Sequence, residues 1–129
     1  MKSHAVSCLI LAGGKSKRMN RADKGLVKFK GHPLIQHVIN ALQHQVDDFV
    51  ISANRNLELY KQFSANVIPD NSEKHGPLSG IAAALPVCKH ENVLVIPCDM
   101  PYLPDDLVEK LVADFQHRDI ALVEVLPRL

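Results

Sequence analysis

The residues best suited to chemistry form one stretch, Leu9-Ile10-Leu11-Ala12-Gly13-Gly14-Lys15-Ser16-Lys17-Arg18-Met19, with Asp23-Lys24-Gly25 just behind it. The apolar run from Ala5 to Leu11 predicts a short buried strand that breaks at Gly13 and Gly14. The loop after it carries four cations and no acid between Lys15 and Arg21. Glycine lets a backbone approach a ligand closely, and bare N–H groups donate to anionic oxygens. Lysine and arginine neutralise the charge. The chemistry this favours is phosphate binding, with Arg18 and Lys24 the candidates for a triphosphate. Lys15, Lys17 and Arg21 read as solvated. Two familiar phosphate motifs are absent. A P-loop needs glycine five places before Gly14, where Leu9 stands. The dinucleotide fingerprint needs glycine two places after Gly13, where Lys15 stands. The plain alternative is a glycine turn with a basic, solvent-facing surface.

Asp99, in Pro97-Cys98-Asp99-Met100-Pro101, is the sharpest single residue. It follows the most apolar run of the chain, Val93-Leu94-Val95-Ile96, near what would be a strand's carboxyl end. Ligands of open α/β sheets bind at those ends. A carboxylate there, beside a cationic loop, suits magnesium, which binds through one or two carboxylates plus phosphate oxygens. On spacing alone, a surface-loop acid capping a turn between two prolines fits equally well. Asp70 lies in a polar loop that runs to Gly76-Pro77, and its carboxylate can accept two hydrogen bonds from a ligand.

The elements that must position these residues alternate strand and helix. After the basic loop, residues 26–30 predict a brief strand, turned by Gly31. Pro33 suits a first helical turn, and the spacing of Leu34, Ile35, Val38, Ile39 and Leu42 predicts an amphipathic helix over 34–45. Strands are predicted at 49–51 and 66–68, with a short helix over 57–63 between them. A small-residue helix is predicted at 78–85 and a strand at 93–96, the latter expected to be central because it is the most apolar. A helix follows, with Asp105 and Asp106 in its first turn and Leu107 to Phe115 as its stripe, then a last strand over 120–125. This alternation predicts a three-layer, mostly parallel α/β sheet of Rossmann-like type.

At 129 residues the chain is expected to be a single domain, 1–129. Its composition, 47% hydrophobic and 22% charged, is that of an ordinary soluble globular protein. No apolar run is long enough to span a membrane, and the first residues do not read as a signal peptide. Three cysteines with no C-x-x-C spacing point to reducing cytoplasm and to packing roles. The net charge of +1 hides an asymmetry. Residues 1–30 hold eight Lys or Arg against one acid, a local +7, and the remainder carries −6. The basic run has no interleaved aromatics, and it sits at a strand end rather than along a helix. A nucleoside triphosphate therefore suits it better than a nucleic acid. The seven histidines form no metal pattern.

The pattern L-A-G-G-x-S-x-R-M followed by D-K-G-L resembles the signature of the molybdenum cofactor guanylyltransferases, nucleotidyltransferases with the nucleotide-diphospho-sugar transferase fold. Pro33 to Val38, Ser52-Ala53-Asn54-Arg55, Ile68-Pro69-Asp70, Gly76 to Gly80 and Pro97 to Pro101 agree in order. The resemblance implies transfer of GMP from GTP to molybdenum-bound molybdopterin, with pyrophosphate released. It implies magnesium on Asp99, and Arg18, Lys24 and Asp99 as the catalytic set. Leu11, Ala12, Gly13, Gly14, Lys24, Ser52, Asp70 and Asp99 would line the nucleotide. Ser52 stands where the family often carries Asn, and Met100 where threonine is commoner. Molybdoenzyme maturation proteins are the expected partners. Cytidylyltransferases for the same cofactor and sugar-phosphate nucleotidyltransferases share the scaffold, and a nucleotide-binding module without turnover is a further alternative. Relatives continue past residues 120–125, so the chain is expected to hold the donor half, with the acceptor half missing.

Overall fold

The computed structural model describes residues 6–12, 24–69, 77–114 and 120–122. Arg18, Gly13, Gly14 and Asp70 lie outside that set. The backbone begins with β1 (Val6–Leu11), in which the first five residues are buried. It does not alternate polar and apolar, because a strand covered on both faces has no solvent side. β4 (Asp48–Ser52) pairs with one edge of β1, Leu9 opposite Val50, and β6 (Asn92–Pro97) with the other, Leu9 opposite Val95. Both pairings are parallel. β5 (Val67–Ile68) and β7 (Ile120–Leu122) extend the sheet outward to the order β5-β4-β1-β6-β7, every pair parallel.

Helices cover both faces, and strand periodicity decides which residue meets which helix. Cys8, Ile10, Leu94 and Ile96 point into one core with Ile35, Val38 and Leu42 of α1 (Leu34–Leu42), Tyr60 of α2 (Leu57–Tyr60), and Leu107 and Val108 of α4 (Leu107–Asp114). Leu9, Val50, Val93 and Val95 point the other way, to Ala84 of α3 (Pro77–Ala84). The expected three-layer, Rossmann-like arrangement is what forms. Fully buried side chains such as Ile10 and Ile35 hold it, and truncating either to alanine would cost about 2–5 kcal/mol.

Several details differ from the sequence reading. The central strand is β1, and β6 lies beside it; both are flanked by strands on two sides, so a mostly apolar run marks either position. The segment 26–30 divides: Leu26 ends a 3-10 turn (Lys24–Leu26), and only Lys28–Phe29 form β2. β2 pairs antiparallel with β3 (His32–Pro33), which places Pro33 in a strand and at the N-cap of α1 rather than in its first turn. The hairpin turn has positive φ at both Lys30 (53°) and Gly31 (85°), as a two-residue loop with a right-handed twist requires. α1 ends at Leu42 rather than 45, and Gln43 to Gln45 continue as a turn. α2 is one turn long, with residues 61–63 in a following turn. α3 ends at Ala84 and gives way to a 3-10 turn over Leu85–Val87 containing Pro86, which cannot donate to the helix ladder.

A second structure fixes α4. Gln45 Nε2 donates to Ala41 O at 2.9 Å and to Pro104 O at 3.0 Å, and its Oε1 accepts from Val108 N at 2.8 Å. One buried amide thus satisfies a first-turn N–H of α4 and ties the Asp99-to-Pro104 loop to the end of α1. At the opposite end of the sheet, Ser7 Oγ donates to Asp48 Oδ2 at 2.6 Å and accepts from His90 N at 3.0 Å. Among the described residues no helix is long and apolar enough to cross a membrane.

Candidate functional site

The strand order places one topological switch point in the sheet. From β1 the chain moves outward to β4 and β5, then returns across β1 to β6 and continues to β7. Connections therefore diverge between β1 and β6, and their carboxyl ends flank the crevice where open α/β sheets bind ligands. Backbone hydrogen bonds carry the pairing past the strand ends. Cys98 N donates to Leu11 O at 3.1 Å, Ala12 N to Ser52 O at 2.8 Å, and Ala53 N to Ile68 O at 3.2 Å. Leu11, Ala12, Ser52 and Asp99 are thereby gathered at one end of the sheet. Ala12 and Ser52 are buried, 7% and 4% exposed, and Leu11 is partly exposed.

Asp99 follows directly on Cys98 and is 2% exposed. The expectation of a surface-loop acid is corrected here: Asp99 is buried together with Cys98, Met100 and Leu103, while Tyr102 of the same loop faces solvent. A carboxylate this deep loses its hydration, and a neighbouring cation offsets part of the cost. Lys24 Nζ lies 3.9 Å from Asp99 Oδ2, while the lysine side chain remains 44% exposed. The 3-10 turn bearing Lys24 thus meets the end of β6, and two residues 75 positions apart in the sequence form the charged centre of the crevice.

Gly25 explains how the turn comes so close. A Cβ added at Gly25 would stand 2.6 Å from Tyr60 Oη and 3.2 Å from Cys98 Sγ. Tyr60 is completely buried and contributes its ring from α2. In the sequence Gly25 stands inside the Asp23-Lys24-Gly25 motif with no role of its own, and Tyr60 only within a short helix. The bare sequence offers no sign that Tyr60, seen only as part of a short helix, reaches the turn at 24–26.

The donor set has a definite character. Among the described residues no group of three or more His, Cys, Asp or Glu could hold a metal ion. One buried carboxylate at a switch point does not make an all-protein cage. It does suit a hard cation that keeps most of its ligands from phosphate and water, which is the habit of magnesium rather than of a structural metal. Cys8 and Cys88 are not nucleophiles of this site. Burial pushes the Cys8 thiol far above its ordinary range and the Cys88 thiol up to about 11, so both stay protonated at neutral pH. Two histidines serve structure: His37 Nε2 donates to Phe29 O at 2.6 Å, and His90 Nε2 to Asp47 Oδ1 at 2.7 Å.

Comparison with known proteins agrees with this geometry. The family model described as "MobA-like NTP transferase domain" matches residues 8–126. A molybdenum cofactor guanylyltransferase of Shewanella halifaxensis is 43% identical over 118 residues, covering 91% of this chain and 59% of that protein. This chain therefore spans about three fifths of that relative's length. Two solved structures share the fold. One is a CMP:2-keto-3-deoxy-manno-octonic acid synthetase complexed with CTP, with TM-score 0.70 and 19% identity, covering 88% of this chain and 48% of that one. The other is molybdopterin-guanine dinucleotide biosynthesis protein A of Archaeoglobus fulgidus, with TM-score 0.62 and 23% identity, covering 86% and 57%. With a family match across nearly its whole length, and a parallel sheet whose switch point holds an acid and a lysine, the chain belongs to the MobA-like NTP transferases.

Proposed function

We propose that this chain binds GTP with magnesium and supplies the nucleotide-donor half of a molybdenum cofactor guanylyltransferase acting in the cytoplasm. The observation that carries the proposal is the buried Asp99 carboxylate, faced by Lys24 at the switch point. Asp99 would hold magnesium, which when bound supplies positive charge beside the α-phosphate. Lys24 has a long, half-exposed side chain, so its ammonium can leave the carboxylate for the β- and γ-phosphates as they arrive. By motif, Arg18 and the Gly13-Gly14 backbone complete the phosphate cradle, and Asp70 takes the guanine N–H groups. Leu11, Ala12 and Ser52 form the floor at the ends of β1 and β4.

In the reaction that follows, an oxygen of the terminal phosphate of molybdopterin attacks the α-phosphorus of GTP. The new P–O bond forms as the bond to the bridging β-phosphate oxygen breaks, and pyrophosphate leaves. An anion must approach an anion, and a preorganised cationic pocket removes that repulsion. Acceptor contacts would come from the part of full-length relatives that this chain does not match. The product would pass to molybdoenzyme maturation proteins.

Calorimetric titration of the chain with GTP, ATP, CTP and UTP in magnesium tests the assignment. GTP should bind tightest, by about tenfold or more over ATP, since adenine lacks the donor pair a carboxylate accepts. An equal response to ATP would overturn the guanine assignment and leave the fold untouched. A preference for CTP would favour a cytidylyltransferase.

A further inference from the structure

We propose that Tyr60 and Gly25 form a latch that positions Lys24 against Asp99, and so sets where the nucleotide phosphates lie. The inference rests on the nucleotide-site reading above and adds two residues outside the set named there. Gly25 is buried in the 3-10 turn, and its φ is not in the left-handed region. Glycine is therefore not needed there for backbone conformation. It is needed for closeness, because the turn lies directly on the Tyr60 hydroxyl, the Tyr60 ring edge and the Cys98 sulfur, at 2.6, 3.2 and 3.2 Å from a Cβ at Gly25.

The contact has the right partners to act on the site. Gly25 and Cys98 are the chain neighbours of Lys24 and Asp99, so the latch and the charged pair are adjacent rungs between the same two segments. Tyr60 braces them from behind. Its ring is fully enclosed by the α1-side core, and its one-turn helix is closed locally by Leu59 N and Tyr60 N donating to Asn56 O at 3.0 Å each. An added methyl group at Gly25 cannot push such a ring aside freely. Restoring ordinary contact with the hydroxyl would need the turn to move by about 0.8 Å, the shortfall of 2.6 Å from ordinary packing near 3.4 Å. Misplacement on the order of 1 Å at a reacting centre costs up to about a hundredfold in rate.

The test compares the parent chain with Gly25→Ala, Tyr60→Phe, Gly25→Ala/Tyr60→Phe and Lys24→Ala. Magnesium-GTP binding is measured by calorimetry, and thermal melting is recorded on the same samples. Lys24→Ala reports on the site itself and should weaken binding. Gly25→Ala should weaken it about tenfold or more, and Tyr60→Phe placed on top should recover at least a few-fold of that loss, because it removes the oxygen the methyl group meets. A merely structural role would move melting without this recovery in affinity. Gly25→Ala binding like the parent while Lys24→Ala binds poorly would overturn the latch alone. So would a folded double variant that recovers nothing relative to Gly25→Ala. If Gly25→Ala does not fold, the double variant carries the test: it must fold and bind more tightly than Lys24→Ala, or the latch is wrong. No loss in Lys24→Ala would overturn the site reading and the latch with it.

Discussion

Replacing Asp99 with asparagine separates the metal role of this carboxylate from its place in the fold. The substitution keeps shape and removes one charge. In the folded chain that charge sits 3.9 Å from the Lys24 ammonium, an attraction of about 4 kcal/mol at an effective dielectric of 20. Two effects oppose it. The carboxylate is 2% exposed and has given up its hydration, at a cost of several kcal/mol. Lys24 is 44% exposed, so solvent screens it and rehydrates it once its partner is gone. The terms nearly cancel, and unfolding free energy should change by about 1 kcal/mol or less. Nucleotide binding has no such cancellation, because an amide oxygen is a far poorer ligand for magnesium. Loss of charge-assisted contacts worth about 2–3 kcal/mol corresponds to roughly thirty- to 150-fold. The assay is GTP titration by calorimetry with magnesium and again with EDTA, alongside urea unfolding. Parent affinity should fall sharply in EDTA, and the Asp99→Asn variant should show weak binding in both. If the variant binds as the parent does and keeps its magnesium dependence, Asp99 is a packing residue and the metal assignment fails.

Three further outcomes follow from other parts of the molecule. Gln45→Ala removes three hydrogen bonds and strands the buried Val108 N–H, so urea unfolding should show a loss of roughly 2–4 kcal/mol, while a loss under about 0.5 kcal/mol would show that α4 is seated without it. The Asp47 carboxyl is held below its ordinary value of 3.8, chiefly by the His90 hydrogen bond and then by the charges of His90 and Lys89. Because its folded pKa is depressed, its contribution to stability is present above pH 3.8 and lost as pH falls through the folded value; Asp47→Asn should flatten the acid limb of a pH–melting curve there, and an unchanged limb would refute the pairing. Gly31→Ala should destabilise the β2–β3 hairpin by about 1–2 kcal/mol in thermal or urea unfolding, since φ of 85° strains a Cβ even though open space surrounds it.

The local patterns were legible because they depend on neighbours in the chain. Helical spacing from Leu34 to Leu42, the apolar runs at β1 and β6 and the turn at Gly31 follow from periodicity and backbone sterics. Motif order pointed to Lys24 and Asp99 as site residues, and the structure brings those two together. Element ends were less legible, as at α1, where the Gln45 side chain is engaged with Pro104 and Val108 on a distant segment. Which apolar strand is central was not legible at all, since burial on two faces looks alike for β1 and β6 and only pairing order tells them apart. By itself the sequence determined residue chemistry and local period: a glycine pair followed by cations, an acid after an apolar strand, and alternating strand and helix. Tertiary structure alone decided that Asp99 is buried rather than at the surface, that Lys24 faces it, and that Tyr60 lies under Gly25. Those are contacts across 35 to 75 residues of chain, and side-chain identity carries no record of distance until the sheet order has brought the segments together.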